Sequence, residues 1–236
     1  MFGGSGLLSH TVKSHYPNAK VIYNDYDNFS LRLKNVDKTN QLIADIRVIL
    51  KDYPKDQRII GDKRDQVFKR VEQEEKSGYV DYITLSSSIL FSMKYVLSFE
   101  QLQKETLYNT VRQSNYDVDG YLDGLVIVTE CYKELFTKYK DTENVIFLVD
   151  PPYLSTDVST YKNCWKLRDY LDVLEVLNGT KYFYFTSNKS SIIELCEWIE
   201  TKTPMSNPFT GASTQTMNAT VTYQSSYTDI MLYKYE

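Results

Sequence analysis

The chain has 236 residues, 42% of them hydrophobic and 25% charged, with a net charge of −4. That fits one large folded domain, or a domain with a sizeable insertion. No apolar run approaches the roughly 18 residues of a membrane span, MFGGSGLLSH lacks the basic and apolar regions of a signal peptide, and the acidity gives no support for strong non-specific DNA binding. A cytoplasmic protein with no membrane partner is expected. Three widely spaced cysteines (Cys131, Cys164, Cys196) point to a reducing compartment rather than a disulfide framework. The two histidines, His10 and His15, stand five apart, and no Cys/His cluster has metal spacing, so no metal is expected.

The first segment reads as loop, helix and strand. FGGSG is a glycine turn, LLSHTVKSHY a short helix ended by Pro17, and KVIYNDYDN a strand over 20–28 that ends in acids. Helical spacing of Leu42, Ile43, Ile46, Ile49 and Leu50 predicts a helix over 29–52. A charged helix over 62–78 follows, then a long apolar stretch, 79–97, read as a buried helix. Ser98 and Gln101 form a capping-box pattern that opens a helix from Phe99. The polar segment 112–124 reads as a loop. Strands are then expected at 125–130, 145–150 and 181–188, with helices at 165–177 and after a Ser191/Glu194 cap. The last residues, 219–236, read as an antiparallel hairpin. Strand–helix–strand units thus flank a largely helical middle, an α/β domain with an insertion. The acids fall at strand ends, where open α/β sheets bind ligands.

In 147–155, FLVDPPYLS, two prolines end a buried strand because neither donates a ladder hydrogen bond. The acid before them and the aromatic after them have a chemical use. A planar amine conjugated to a ring is a poor nucleophile. Asp150 and the Pro151 carbonyl, fixed in direction by Pro152, can accept its two N–H bonds and stabilise positive charge as it attacks. Tyr153 can stack on the ring. Taken alone, the tetrapeptide is also a strand terminator with an incidental acid and aromatic. Gly4 and Gly6 allow close backbone approach ahead of a helix, and Asp25, at the end of the next strand, suits a ribose-binding acid. Alone, Asp25 and Asp27 read as a solvated turn.

The set FGGSG, NDYDN, DPPY after a long insertion, and FTSNKS resembles the adenine-N6-specific DNA methyltransferases of the Dam-like, alpha-group order. The resemblance implies a Rossmann-like, S-adenosylmethionine-dependent methyltransferase sheet with a terminal antiparallel hairpin and a mostly helical insertion. On it, 1–54 and 125–236 form the catalytic domain and 55–124 the target-recognition insertion. Phe2, Gly4 and Gly6 fall on the cofactor motif and Asp25 on the ribose-binding acid. Asp150, Pro151, Pro152 and Tyr153 fall on the catalytic tetrapeptide, and Ser187 and Asn188 on the late S-N motif. Glu130 stands where the family often has a cofactor-contacting Asp. The implied reaction transfers a methyl group from S-adenosylmethionine to the N6 amine of a flipped adenine in double-stranded DNA, with Tyr153 stacked on the base. Lys63, Arg64, Lys69 and Arg70 would meet phosphates; Asn109, Arg112 and Asn115 would reach a groove. For any one of these, a solvated face is the simpler reading.

The family carries an N-terminal motif and a central first strand before F-x-G-x-G, whereas Phe2 here directly follows Met1. The strands ending at Asp25 and Asp150 would then lack a shared neighbour. The sheet closes differently, a second chain completes it, or the natural protein is longer. Other readings are RNA adenine or a glutamine amide as acceptor, and a non-catalytic remnant that binds nucleic acid. The family belongs to bacteria, phages and mobile elements, some members with a restriction-enzyme partner.

Overall fold

A computed structural model describes residues 2–91, 94–154, 165–204, 206–222 and 225–235. The fold is mixed α/β. Its elements are α1 (Leu7–His15), β1 (Ile22–Asn24), α2 (Phe29–Lys34), α3 (Val36–Ile49), α4 (Gly61–Ser77), α5 (Tyr82–Ile89), α6 (Phe99–Lys104), β2 (Val126–Val128), α7 (Tyr132–Tyr139), β3 (Phe147–Val149), α8 (Leu167–Leu177), β4 (Tyr182–Ser187), α9 (Ile192–Lys202), β5 (Ser213–Thr222) and β6 (Ser225–Lys234). Two compact units result: Met1–Phe29 with Leu122–Glu236, and Ser30–Tyr121. Among the described residues no helix is long and apolar enough to cross a membrane.

The helical unit begins well before residue 55. Leu42, Ile43 and Ile46 of α3 belong to one buried cluster with Val67, Phe68 and Val71 of α4, Leu85 and Ile89 of α5 and Leu102 of α6. The apolar stripe that predicted this helix therefore closes the helical core. The helix expected over 29–52 is two, broken at Asn35, whose amide donates to the Leu31 carbonyl. The helix expected over 79–97 stops at Ile89. Leu90 and Val96 still enter the core, but as extended chain, with the Val96 N–H bonded to the Ser86 hydroxyl. Apolar content alone did not separate a buried helix from a buried irregular segment. At α6 the Ser98 hydroxyl accepts the Gln101 N–H, and the Gln101 side chain accepts the Leu97 N–H instead of that of Ser98.

In the α/β unit the strands form two separate ladders. β1 and β2 pair in parallel. The second ladder has the order β3-β4-β6-β5, parallel between β3 and β4 and antiparallel on both sides of β6. Strands expected to run six to nine residues at 20–28, 125–130 and 145–150 are three residues each. β1 and β3 do not pair with each other. The sheet therefore does not close on itself. The larger ladder packs on α8 through Tyr170, Val173, Leu174 and Leu177, spaced i, i+3, i+4 and i+7, and on Ile192 and Cys196 of α9. The Ser191 side chain makes no cap bond, contrary to its sequence pattern. The terminal hairpin is longer than 219–236, starting at Ser213.

An extended segment joined upstream of Phe2, parallel to both β1 and β3, would give each strand a second neighbour. At roughly 0.5–1.5 kcal/mol per net hydrogen bond, a few such bonds contribute about 2 kcal/mol. A version of the protein so extended is expected to melt roughly 4–8 °C higher. Scanning calorimetry of both forms checks this; equal melting temperatures would argue against an open central position.

Candidate active site

β3 ends at Val149 because Pro151 and Pro152 follow, and Asp150 projects at its C-terminal end. One side of Asp150 is open to solvent while protein surrounds most of the rest. That loss of hydration, together with the negative charge of Asp229, pushes its carboxyl up to about 6. Tyr153 is half-buried and its hydroxyl donates to Asp229 Oδ1 at 3.3 Å. Burial, then the charges of Asp150 and Asp229, raise its phenol well above the usual tyrosine value, so it stays a donor.

β4, parallel to β3, brings Ser187 and Asn188 to the same end. Ser187 is fully buried and its hydroxyl accepts the Lys189 N–H at 3.2 Å. Asn188 continues the ladder after the strand: its N–H donates to the Thr228 carbonyl, and its side-chain oxygen accepts the Thr228 N–H, both at 3.0 Å. The turn after β4 meets the chain after Tyr153 through the Ser191 N–H and the Leu154 carbonyl, 3.3 Å apart. The four late motif residues thus share one strand end.

The glycine loop sits at the end of β1. Gly4 and Gly6 have φ of +48° and +79°, a region costly for any side chain. Gly3, outside the F-x-G-x-G pattern, is the most constrained: a Cβ there would overlap the Asn24 carbonyl oxygen and the Tyr23 ring. Tyr23 binds the loop to the acid. Its hydroxyl lies 2.9 Å from the Gly4 carbonyl and 3.1 Å from Asp25 Oδ1. Asp25 is buried, and Oδ1 also accepts the Phe29 N–H at 2.5 Å, closing the turn into α2. Phe2 reaches the other way, packing on Tyr132 and Trp165 with ring centroids 5.3 and 5.0 Å apart. The loop therefore joins the end of β1 to the aromatic cluster of Tyr132 and Trp165.

Glu130 is held by its backbone. Asn24 accepts its N–H and donates to its carbonyl, at 3.0 and 2.9 Å. Its carboxylate pairs with Lys138 of α7, a helix the sequence reading did not anticipate. In the helical unit the Asn109 amide donates to the Tyr53 and Pro54 carbonyls, and Arg112 bonds Ser114 and lies over the Tyr116 ring. Lys63 donates to the Ile49 carbonyl, Arg64 to that of Gln103, and Arg70 pairs with Asp45 and Glu74. Lys69 and Asn115 are exposed. Gly3, Tyr23, Asn24 and Asp229 were not singled out from sequence. Of these Asp229 carried a signal, an acid inside the otherwise apolar strand TDIML.

No family profile matches the chain. A protein of Haemophilus influenzae named "Putative methyltransferase" is 36% identical over 240 residues, an alignment spanning all of this chain and 80% of that protein.

Two outcomes follow from the geometry. Gly3→Ala is expected to lose about 1–3 kcal/mol through overpacking, and Gly4→Ala, which has room but a left-handed backbone, about 1–2 kcal/mol. Urea denaturation of both ranks them; a harmless Gly3→Ala would contradict the contact. Asp150 is raised, so the folded chain holds its proton up to about 6. The stability that proton contributes is complete below the ordinary carboxyl value and lost as pH rises through about 6. Asp150→Asn should therefore melt no lower than the parent at neutral pH.

Proposed function

The chain belongs to a family of methyltransferases, and from that premise we propose that it methylates the N6 amine of adenine in DNA, with S-adenosylmethionine as donor. The observation that carries this reading is the strand end where Asp150, the Pro-Pro turn and Tyr153 stand beside Ser187 and Asn188. The donor supplies an electrophilic methyl group, which no side chain of the protein provides.

The glycine loop fits such a donor. Its backbone turns through two left-handed residues that lead into α1, and Gly3 lies flat on Asn24, so bare main chain is offered at the strand end. Phe2, Gly4, Gly6 and Asp25 would hold it, and the Tyr23 hydroxyl fixes Asp25 relative to the loop. Glu130 is the weaker candidate, its carboxylate being engaged by Lys138.

An exocyclic amine gains reactivity when its lone pair leaves conjugation. Ionised Asp150 accepts one N–H and the Pro151 carbonyl the other, and both bind the developing positive charge better than the neutral amine. Protonation of Asp150 removes the negative charge that binds the developing cation, so transfer should fall as pH drops through about 6. Tyr153 offers a ring face to a base extruded from the duplex, and the helical unit contacts the DNA. With the sheet divided between β1 and β3, a second reading is that this chain binds nucleic acid without turnover.

Calorimetric titration with S-adenosylmethionine separates the two. Binding, followed by methylated adenine in DNA, is expected; a folded chain that binds no donor would favour the second reading. Asp150→Ala should retain donor binding and abolish transfer, and undiminished turnover in that variant would remove the amine clamp.

A further inference from the structure

The mechanism leaves one acid unused. Asp229 lies within β6, between Thr228 and the apolar run Ile230, Met231 and Leu232. Register sets it opposite Ser187, on the last rung that β4 and β6 share. β6 nevertheless continues its pairing with β5 beyond that rung, through Thr228, Tyr227 and Ser226. Asp229 therefore stands where the four-stranded sheet gives way to a projecting two-stranded ribbon, beside the strand end that carries Asp150. A carboxylate here gains nothing from the ladder, which uses only backbone, and it stands near a second carboxylate, which is unfavourable for both. Its side chain does have one specific partner, the Tyr153 hydroxyl at 3.3 Å.

We propose that Asp229 is a positioning residue of the transfer site: by accepting the Tyr153 hydroxyl it fixes the ring that follows the Pro-Pro turn. Tyr153 lies beyond regular structure, on chain joined to the β4 turn through Leu154. Without an anchor at its far end the ring could turn about its side-chain bonds. A bond from the hydroxyl to an acid in the middle of a strand restrains it through a rigid element. The charge at that end also enriches the ring's electrons, which suits a face meant to lie on an amine-bearing base as positive charge builds. Asp150, Asp229 and Tyr227 all bear on the phenol and keep its proton in place. The bond is a property of the fold; its use in stacking an acceptor base rests on the function proposed above.

The test has one arm without substrate and one with it. Fluorotyrosine is incorporated biosynthetically in place of the 21 tyrosines, and the resonance of Tyr153 is identified by its loss in Tyr153→Phe. In Asp229→Ala that resonance is expected to shift and sharpen as the ring averages over orientations. In Asp229→Asn, which keeps an accepting oxygen, it should stay near the parent position. If the alanine variant does not fold, Asp229→Val, favourable in a strand and without an acceptor, replaces it. An unmoved Tyr153 resonance in a folded variant lacking the acceptor would overturn the proposal. With S-adenosylmethionine and adenine-containing duplex, Asp229→Ala and Tyr153→Phe should each lower kcat by about 10-fold, the scale of one hydrogen bond to a charged group. KM for the donor should be unchanged, and the double variant should lose no more than either single one. Additive losses would overturn the proposal. If the parent methylates no DNA, the substrate assignment fails while the resonance experiment still decides the role of Asp229.

Discussion

The antiparallel pairing of β4 with β6 is the contact on which the site depends. It continues past the last strand residue of β4, because Asn188 mimics a further ladder step with both its backbone and its side chain. That continuation fixes the turn carrying Asn188 and sets Ser187 against Asp229. Parallel pairing with β3 then brings Asp150 to the same end. Register gathers the two acids and the amide there, and the bond from the Tyr153 hydroxyl to Asp229 adds the phenol. A shift of β6 by one residue would turn Asp229 to the other face and release Tyr153.

The glycine loop solves a different problem. β1 and β3 belong to separate ladders, and the loop ties the end of β1 to the core beside the larger ladder, with Gly3 on Asn24 and Phe2 among Tyr132 and Trp165. Close approach on one side requires the absence of a Cβ; anchoring on the other requires a large ring. The Tyr23 hydroxyl completes the junction by joining the loop to Asp25. Asp25 is accordingly a buried component of the turn as well as an acid at a strand end. The solvated-turn reading of that residue does not describe it.

What was legible in the sequence follows the strength of the local signal. The Pro-Pro stop, the glycine turn and the stripe of α8 each impose a short-range constraint, and each appears where expected. Extents were less legible. β1, β2 and β3 are three residues each; the extent of a strand depends on pairing with chain distant in sequence, which no local propensity encodes. α7 was passed over although Tyr132, Leu135, Phe136 and Tyr139 of YKELFTKY repeat at i, i+3, i+4 and i+7, a helical period that was legible within eight residues. Asp229 was missed because its partner is 76 residues away in sequence. Gly3 was passed over in favour of the patterned glycines, although sterics make it the most constrained of the three.

Charge divides unevenly between the units. Residues 30–121 carry 15 Lys and Arg against 14 Asp and Glu, whereas the rest of the chain carries 12 against 17. If the helical unit meets DNA, this near-neutral balance is what permits approach to a polyanion that the α/β unit would repel. Several of its cations are engaged in the fold. Arg32 and Arg70 pair with partly or fully buried carboxylates, and Lys63, Arg64 and Arg112 bind backbone carbonyls. Exposed contacts of this kind are worth roughly 0–1 kcal/mol and yield readily to a phosphate; the Arg32–Asp81 pair, which also caps α5, would not yield without loss to the fold. Lys34, Lys38, Lys51, Lys55, Lys69 and Lys104 are exposed as well, so the unit keeps a set of cations that a polyanion could reach without disturbing the Arg32–Asp81 pair.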